Sequence, residues 1–265
     1  DSMAVYRGMD LGTAKPTPSQ RQRVAHHLLD VVHPHEEFSL SQFVSAAHDA
    51  IRDVRARGRS VLFVGGTPLY LKALLRGVYP GPPPDWEFRR QIEAELQTVD
   101  LACLHERLRL VDPLSAARLH PHDQRRMIRA LEVFRLTGRP LSHAQTHFDE
   151  VRRDARCKVI VLSWARQDLH QRIAERVAAM FESGMVHEVR GLLASYGSLG
   201  RTASQAVGYR EVIEYLHGLR DLAATIELVK RRTRQFARRQ DTWFRSLAEC
   251  QPFCPSPADS PDRIA

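Results

Sequence analysis

Val61-Leu62-Phe63-Val64-Gly65-Gly66-Thr67-Pro68-Leu69-Tyr70-Leu71 reads as a buried strand that turns through two glycines into a helix. Three of the four strand residues, Val61, Phe63 and Val64, are β-branched or aromatic, the types that fit a pleated, covered surface. Thr67 is a good helix N-cap, and Pro68 falls at the first helical position, where a missing N–H costs nothing. The glycines let the backbone approach a ligand, and the free N–H groups and positive dipole end of the helix face whatever fills the turn. Such a junction suits a phosphate or a base edge beside one. An ordinary strand-to-helix turn would carry the same residues, since short glycine motifs recur by chance.

Working outward, Ser39 can cap a helix running to about Arg57, with Phe43, Ala47, Ala50 and Val54 on one face and Gly58 as its stop. A second apolar run, Val159-Ile160-Val161-Leu162, precedes a helix from about Asp168 that buries Leu169, Ile173, Val177 and Met180 or Phe181 and stops near Gly184. Strands alternating with helices predict an α/β core built on a parallel sheet with helices on both faces. The stretch between the two apolar runs has a different texture. Pro80-Gly81-Pro82-Pro83-Pro84 is a stiff boundary, and from Trp86 to about Leu136 the pattern is wholly helical, with Ile92, Leu96, Leu104, Leu108 and Leu119 as core positions.

The composition, 43% hydrophobic and 26% charged over 265 residues, is that of a soluble globular protein. No run approaches the roughly 20 apolar residues of a membrane span. The N-terminus meets polar residues within its first ten positions, with no secretory apolar region, so the expected location is the cytoplasm. Cys103, Cys157, Cys250 and Cys254 lack CxxC spacing and are expected as thiols, and histidine pairs such as His33-x-His35 and His120-x-His122 have no second pair at zinc-ligand spacing, so no metal site is assigned.

A net charge of +8 fits either plain solubility or a polyanionic partner, and placement separates the two. Arg125, Arg126 and Arg129 occupy the opening turns of a helix that starts near Asp123, where cations oppose the macrodipole. An anionic partner would rationalise them; pairing with Asp123 or Glu132 is the alternative. In the long helix beginning near Asp221, Ile226, Val229, Phe236, Trp243 and Leu247 fall on one face, while Arg231, Arg234, Arg238 and Arg245 lie nearly opposite, as a packing face backed by either an anion-binding or a solvated basic face. Lys15 and Arg234 are candidate diphosphate ligands on this reading.

The run Asp1-Ser2-Met3-Ala4-Val5-Tyr6-Arg7-Gly8-Met9-Asp10-Leu11-Gly12-Thr13-Ala14-Lys15-Pro16, with Gly65-Gly66-Thr67 and Thr233-Arg234-Gln235-Phe236-Ala237-Arg238-Arg239-Gln240, resembles the tRNA dimethylallyltransferases. His120-Pro121-His122-Asp123, Arg126 to Val133 and Ala206-Val207-Gly208-Tyr209-Arg210-Glu211 extend the resemblance in the family's order from Asp1 to about Arg245. Family members carry a GPTxxGK[ST] P-loop upstream of the Asp-Ser motif. The chain begins at Asp1 without it, so the expectation is an N-terminally truncated polypeptide that binds RNA but turns over poorly until the upstream segment is restored. Ala4 stands where the family usually has Gln.

The resemblance implies a P-loop kinase-like α/β core formed by residues 1–77 and 150–250, lacking its first strand and P-loop, with an all-helical insertion at 78–149; the proline and serine content of 251–265 predicts a disordered tail. It also implies transfer of a dimethylallyl group from dimethylallyl diphosphate to N6 of the adenosine 3′ of the anticodon, with Mg²⁺ and the tRNA anticodon stem–loop as cofactor and partner, by a monomer. Asp1 would take the amine proton and Thr67 would position the base or the diphosphate. Asp1, Ser2, Met3, Ala4, Arg125, Arg126, Met127, Ile128 and Arg129 match tRNA-contacting segments, and Thr67 and Arg89 match single contact positions. A nucleotide or nucleoside kinase, a noncatalytic RNA-binding remnant and an adenylate-type isopentenyltransferase acting on free nucleotide are the competing readings.

Overall fold

The computed structural model describes residues 1–79, 81–144 and 157–255. In chain order its elements are α1 (Pro18–Arg23), α2 (Leu40–Ala56), α3 (Pro68–Arg76), α4 (Trp86–Glu95), α5 (Leu101–Val111), α6 (Pro113–Arg118), α7 (Gln124–Thr137), α8 (Leu141–Ala144), β1 (Val159–Leu162), α9 (Arg166–Glu182), α10 (Met185–Tyr196), a 3₁₀ turn (Ala203–Gln205), α11 (Tyr209–Leu216), α12 (Leu222–Arg245) and β2 (Cys250–Phe253). The protein is thus mostly helical with a small parallel sheet. It divides into two compact units, one comprising Asp1–Leu71 with Arg153–Ala265 and the other Lys72–Arg152.

In the first unit, α2 starts where its chemistry dictates: Ser39 Oγ accepts from the Gln42 N–H at 3.2 Å, and Gln42 Oε1 accepts in return from the Ser39 N–H at 2.8 Å. Gly58, at φ +66°, ends it in a left-handed turn. α12 is capped by Asp221, whose carboxylate accepts from the Ala224 N–H at 2.7 Å. Ile173 and Val177 of α9 pack with Val229 of α12 in one cluster, flanked by Leu169, Phe181, Ile226 and Ala237. A second cluster joins Val5, Tyr6 and Met9 to Met185, Val189 and Leu192 of α10 and Tyr209 and Val212 of α11.

The sheet is smaller than the sequence pattern suggests. β1 pairs in parallel with β2, with Val159 opposite Cys250 and Leu162 opposite Phe253. Tyr6 and Val32 make an isolated parallel bridge, with the Val5 carbonyl accepting from the Val31 and Val32 N–H groups at 2.7 and 3.0 Å. Residues 61–64, expected as a buried strand, form no strand, and Leu62 and Val64 are 85% and 82% exposed. The reason is physical: a β-branched segment becomes a strand through a partner's hydrogen bonds and a covering layer, and no segment pairs with it among the described residues. The tail expectation is also corrected at its start, because Cys250–Phe253 is β2, and the Ser163 N–H donates to the Phe253 carbonyl at 2.8 Å. The remainder of that expectation, 256–265, lies outside the described residues, as does the far edge of the helical insertion beyond residue 144.

Helices are the only regular elements among the described residues of the second unit. Ile92, Leu104, Leu108, Ala116, Met127, Ile128 and Ala130 form its core, with Leu96 and Leu119 packed against it. Asp85 caps α4 at the Phe88 N–H, 3.0 Å, and Asp123 caps α7 at the Arg126 N–H, 3.2 Å. Gly138, at φ +68°, closes α7.

Candidate active site

The Asp-Ser start and the glycine turn, 65 residues apart in sequence, meet through side-chain hydrogen bonds. The Ser2 N–H donates to Thr67 Oγ1 at 3.1 Å, and the Thr67 hydroxyl donates to Ser2 Oγ at 3.2 Å. Thr67 holds the N-cap position of α3, its carbonyl accepting from the Tyr70 and Leu71 N–H groups at 3.0 and 3.2 Å. Asp1 is exposed beside this turn, and its Oδ1 accepts from the Met3 N–H at 2.8 Å, which orients the carboxylate.

Neither glycine has a positive φ, and what marks both positions is how closely their neighbours approach. A Cβ on Gly65 would lie 3.1 Å from the Asp1 backbone nitrogen, and one on Gly66 would run into the side-chain amide of Gln240. That amide donates to the Gly66 carbonyl. Gln240 lies about three turns beyond Val229 on the packed face of α12, so a helix anchored by its apolar stripe delivers a polar group to the turn. Three stretches distant in sequence therefore converge on one spot: Asp1-Ser2, Gly65-Gly66-Thr67 and Gln240.

Rigid bracing lies behind them. Lys15, its side chain 1% exposed, donates to the Tyr6 carbonyl at 2.6 Å, Asp10 Oδ1 at 2.7 Å and Asp30 Oδ1 at 2.6 Å. An ammonium has three donors, and all three are used inside the fold, so Lys15 drops out of the diphosphate candidates and is a structural cation of this loop. Arg21 binds the other oxygen of Asp30 at 2.8 Å. Burial pushes the Asp30 carboxyl up, but the hydrogen bonds and charges of Lys15 and Arg21 outweigh it and hold the group below its ordinary value. On the far side, Glu188 accepts from the Asp10 and Leu11 N–H groups at 3.1 and 2.8 Å and from the Tyr209 hydroxyl at 2.6 Å. Burial, reinforced by the Glu188 charge, pushes the Tyr209 phenol well up, keeping it a neutral donor. Gly12 is seated so closely that a Cβ there would be 2.7 Å from Met185 Cε.

In the helical unit a single buried carboxylate organises the arginines. Glu132 accepts from Arg89 Nε and Nη2, each at 2.7 Å, from the Asp85 N–H at 2.8 Å, and from Arg129 Nη1. Arg129 also donates to the Pro82 carbonyl at 2.8 Å. Burial pushes Glu132 up; the hydrogen bonds from Arg89, Arg129 and the Asp85 backbone prevail and leave it below the usual carboxylate range. Arg125 and Arg126 are exposed on the opening turn of α7, Arg126 Nε lying 3.4 Å from Asp123.

The sequence pattern of the IPP transferases matches residues 4–247. The chain belongs to the IPP transferase family. It is 49% identical over 249 residues to the tRNA dimethylallyltransferase of Rhodopirellula baltica, a match covering 94% of this chain and 75% of that one. Among solved structures it resembles the full-length tRNA isopentenylpyrophosphate transferase of Bacillus halodurans, at 37% identity and a TM-score of 0.69, covering 100% of this chain and 82% of that one. It also resembles a eukaryotic dimethylallyltransferase acting on tRNA, at 27% identity and a TM-score of 0.77, covering 96% of this chain and 66% of that one.

For this IPP transferase, the residues singled out in sequence fall into distinct environments. Asp1, Ser2 and Thr67 are brought together at the turn. Ala4 is 5% exposed, so its methyl is not offered to a substrate, whereas Met3 is half-buried against the cluster of Val5, Tyr6 and Met9. Met127 and Ile128, 0% and 4% exposed, are core residues of the helical unit, so their side chains are not open to an RNA contact. Arg89 and Arg129 are committed to Glu132, leaving Arg125 and Arg126 as the exposed cations of that group. Arg234 is half-buried on α12, near enough to lower Glu227 together with its hydrogen-bonded partner Lys230. Arg231, Arg238 and Arg245 are exposed, Arg245 being paired with Asp241 at 2.8 Å. Gln240 is a site residue that the sequence reading misses, although its place on the Val229 face marks it as a polar group aimed inward.

Proposed function

We propose that the chain transfers the dimethylallyl group of dimethylallyl diphosphate to N6 of the adenosine 3′ of the anticodon in tRNA. The observation that carries this is the convergence of Asp1-Ser2, Gly65-Gly66-Thr67 and Gln240 in a member of the IPP transferase family. The adenosine amine attacks the primary allylic carbon, a C–N bond forms as the C–O bond to diphosphate breaks, and the bonding pair leaves with diphosphate. The proton released from nitrogen passes to the carboxylate of Asp1, held in one orientation by the Met3 N–H. Thr67 ties Asp1-Ser2 to the start of α3, whose free N–H groups and positive dipole end suit an anionic leaving group. Arg234 is the remaining candidate of this chain for the leaving-group charge.

In this reading the first unit is a P-loop kinase-like catalytic core, the helical stretch 78–149 is an insertion carrying the RNA-facing arginines Arg125 and Arg126, and the protein works as a cytoplasmic monomer with Mg²⁺. Among the described residues no group of three His, Cys, Asp or Glu side chains is placed to hold a metal. Mg²⁺ would therefore be held largely by diphosphate oxygens and water, as is usual for this ion, and no step above runs through it. The test is single-turnover transfer by the full-length protein, with product mass read on an anticodon stem–loop. Replacing the target adenosine by inosine, which lacks the amine, should abolish transfer. Preferential prenylation of free AMP would overturn the tRNA assignment.

A further inference from the structure

Trp86 is the first residue of α4 and is 42% exposed, which leaves part of its indole open to solvent. Both of its flanks are fixed. Asp85, just before it, gives its N–H to Glu132 at 2.8 Å, and Arg89, one turn later, is held by the same carboxylate through two bonds of 2.7 Å. The Arg89 guanidinium lies over the indole, 5.0 Å from the ring centroid, within cation–π range. The ring thus sits between two residues tied to one buried carboxylate, with a guanidinium over it. α7, which supplies Glu132, also carries the exposed Arg125 and Arg126 on its opening turn.

We propose that Trp86 is a stacking platform for an unpaired base of the RNA substrate, a specificity residue of the helical unit that acts beside its arginines. An exposed aromatic plane amid cations is the combination by which proteins hold single-stranded nucleic acid, bases on the ring and phosphates on the charges. A continuous duplex offers no free base face, so the occupant is a loop nucleotide. This inference rests on the tRNA reading and narrows it: the helical unit distinguishes a loop from a stem.

The test compares the wild type with Trp86→Ala, Trp86→Leu and Trp86→Phe for binding to an anticodon stem–loop and to a blunt duplex of the same stem. Losing one stacked base should weaken stem–loop binding about tenfold in the Ala and Leu variants, and Phe should restore most of it. Duplex affinity and the slope of log Kd against log salt should not change, because no phosphate contact is lost. In a Trp164→Phe, Trp243→Phe background, Trp86 emission should be quenched by the stem–loop and not by the duplex, a readout that does not depend on how the Trp86 variants fold. Absence of quenching, or a Leu variant as good as Phe, would overturn the platform. Prenyl transfer measured alongside separates the two claims: intact transfer with no quenching removes only the platform, whereas a wild type that neither prefers the stem–loop nor prenylates it removes both.

Discussion

Replacing Glu132 should unfold the helical unit more than any surface change could. Its carboxylate is fully buried and receives four hydrogen bonds, three of them from guanidinium groups. Glu132→Ala leaves two arginines and a backbone N–H facing a void. Breaking a buried ion pair from one side costs about 3–5 kcal/mol. Arg89 and Arg129 keep side-chain exposures of 20% and 32%, so both can recover some hydration, which points to the lower end, about 3 kcal/mol. Glu132→Gln keeps shape and one acceptor oxygen but turns an NH₂ toward donors; about 2 kcal/mol is expected. Urea unfolding followed through Trp86 emission, with Trp164 and Trp243 replaced by Phe, reads this unit. At a slope of about 1–3 kcal/mol per molar, the Ala variant should lower the midpoint by roughly 1–3 M. The pH dependence has a definite sign. Glu132 titrates below its unfolded value of about 4.3, so its contribution is complete above that pH and fades as pH falls through the depressed folded value. The gap between wild type and Glu132→Gln should therefore narrow only below about pH 4. A midpoint shift under about 0.3 M for Glu132→Ala would refute the claim that this carboxylate organises the unit.

In the full-length protein, Asp1→Asn should cut the single-turnover rate by roughly 10² while leaving stem–loop affinity near wild type; equal losses in both would make Asp1 a binding residue instead. Gly66→Ala and Gln240→Ala should each slow transfer about tenfold by breaking the same hydrogen bond, and the double variant should be no slower than either single one. Additive losses in that cycle would show the two residues acting separately. Arg125→Ala with Arg126→Ala should reduce the slope of log K against log salt by up to about 1.4–1.8, and an unchanged slope would return the pair to an ordinary solvated helix end.

Local chemistry is legible in sequence, and pairing is not. Ser39, Asp221 and Asp123 start the helices expected of them, and Gly58 lies at a positive φ, because capping depends on neighbours three or four residues away. The core positions Ile92, Leu104 and Leu108 follow from helical period alone. Val61 to Val64 carries the composition of a strand, yet a strand is a relation between segments, and composition cannot supply the other member. The limit at Phe236 is similar: it belongs to the apolar stripe of α12 by angle but is 42% exposed, since periodicity says which residues share a face and not how much of that face is covered.

The arginines show why a linear motif mixes roles that a helix then separates. Arg125, Arg126, Met127, Ile128 and Arg129 are consecutive, and in sequence they read as one RNA-contacting segment. At about 100° per residue they cannot share an environment. Met127 and Ile128 turn into the core, Arg129 swings to Glu132, and Arg125 and Arg126 remain outside. The same geometry gives Arg129 and Glu132, one turn apart, a common side, which is how a single carboxylate can hold Arg129 and reach Arg89 on α4. The buried charge is also a device for position: it fixes Arg89, whose guanidinium lies over the ring of Trp86. Lys15 shows the same division in the other unit, where a cation that looks available in sequence is taken up in holding the loop that follows Asp1-Ser2. In both units the cations held inside the fold, Lys15 in one and Arg89 and Arg129 in the other, are distinct from the groups left exposed, Asp1 at the turn and Arg125 and Arg126 on α7.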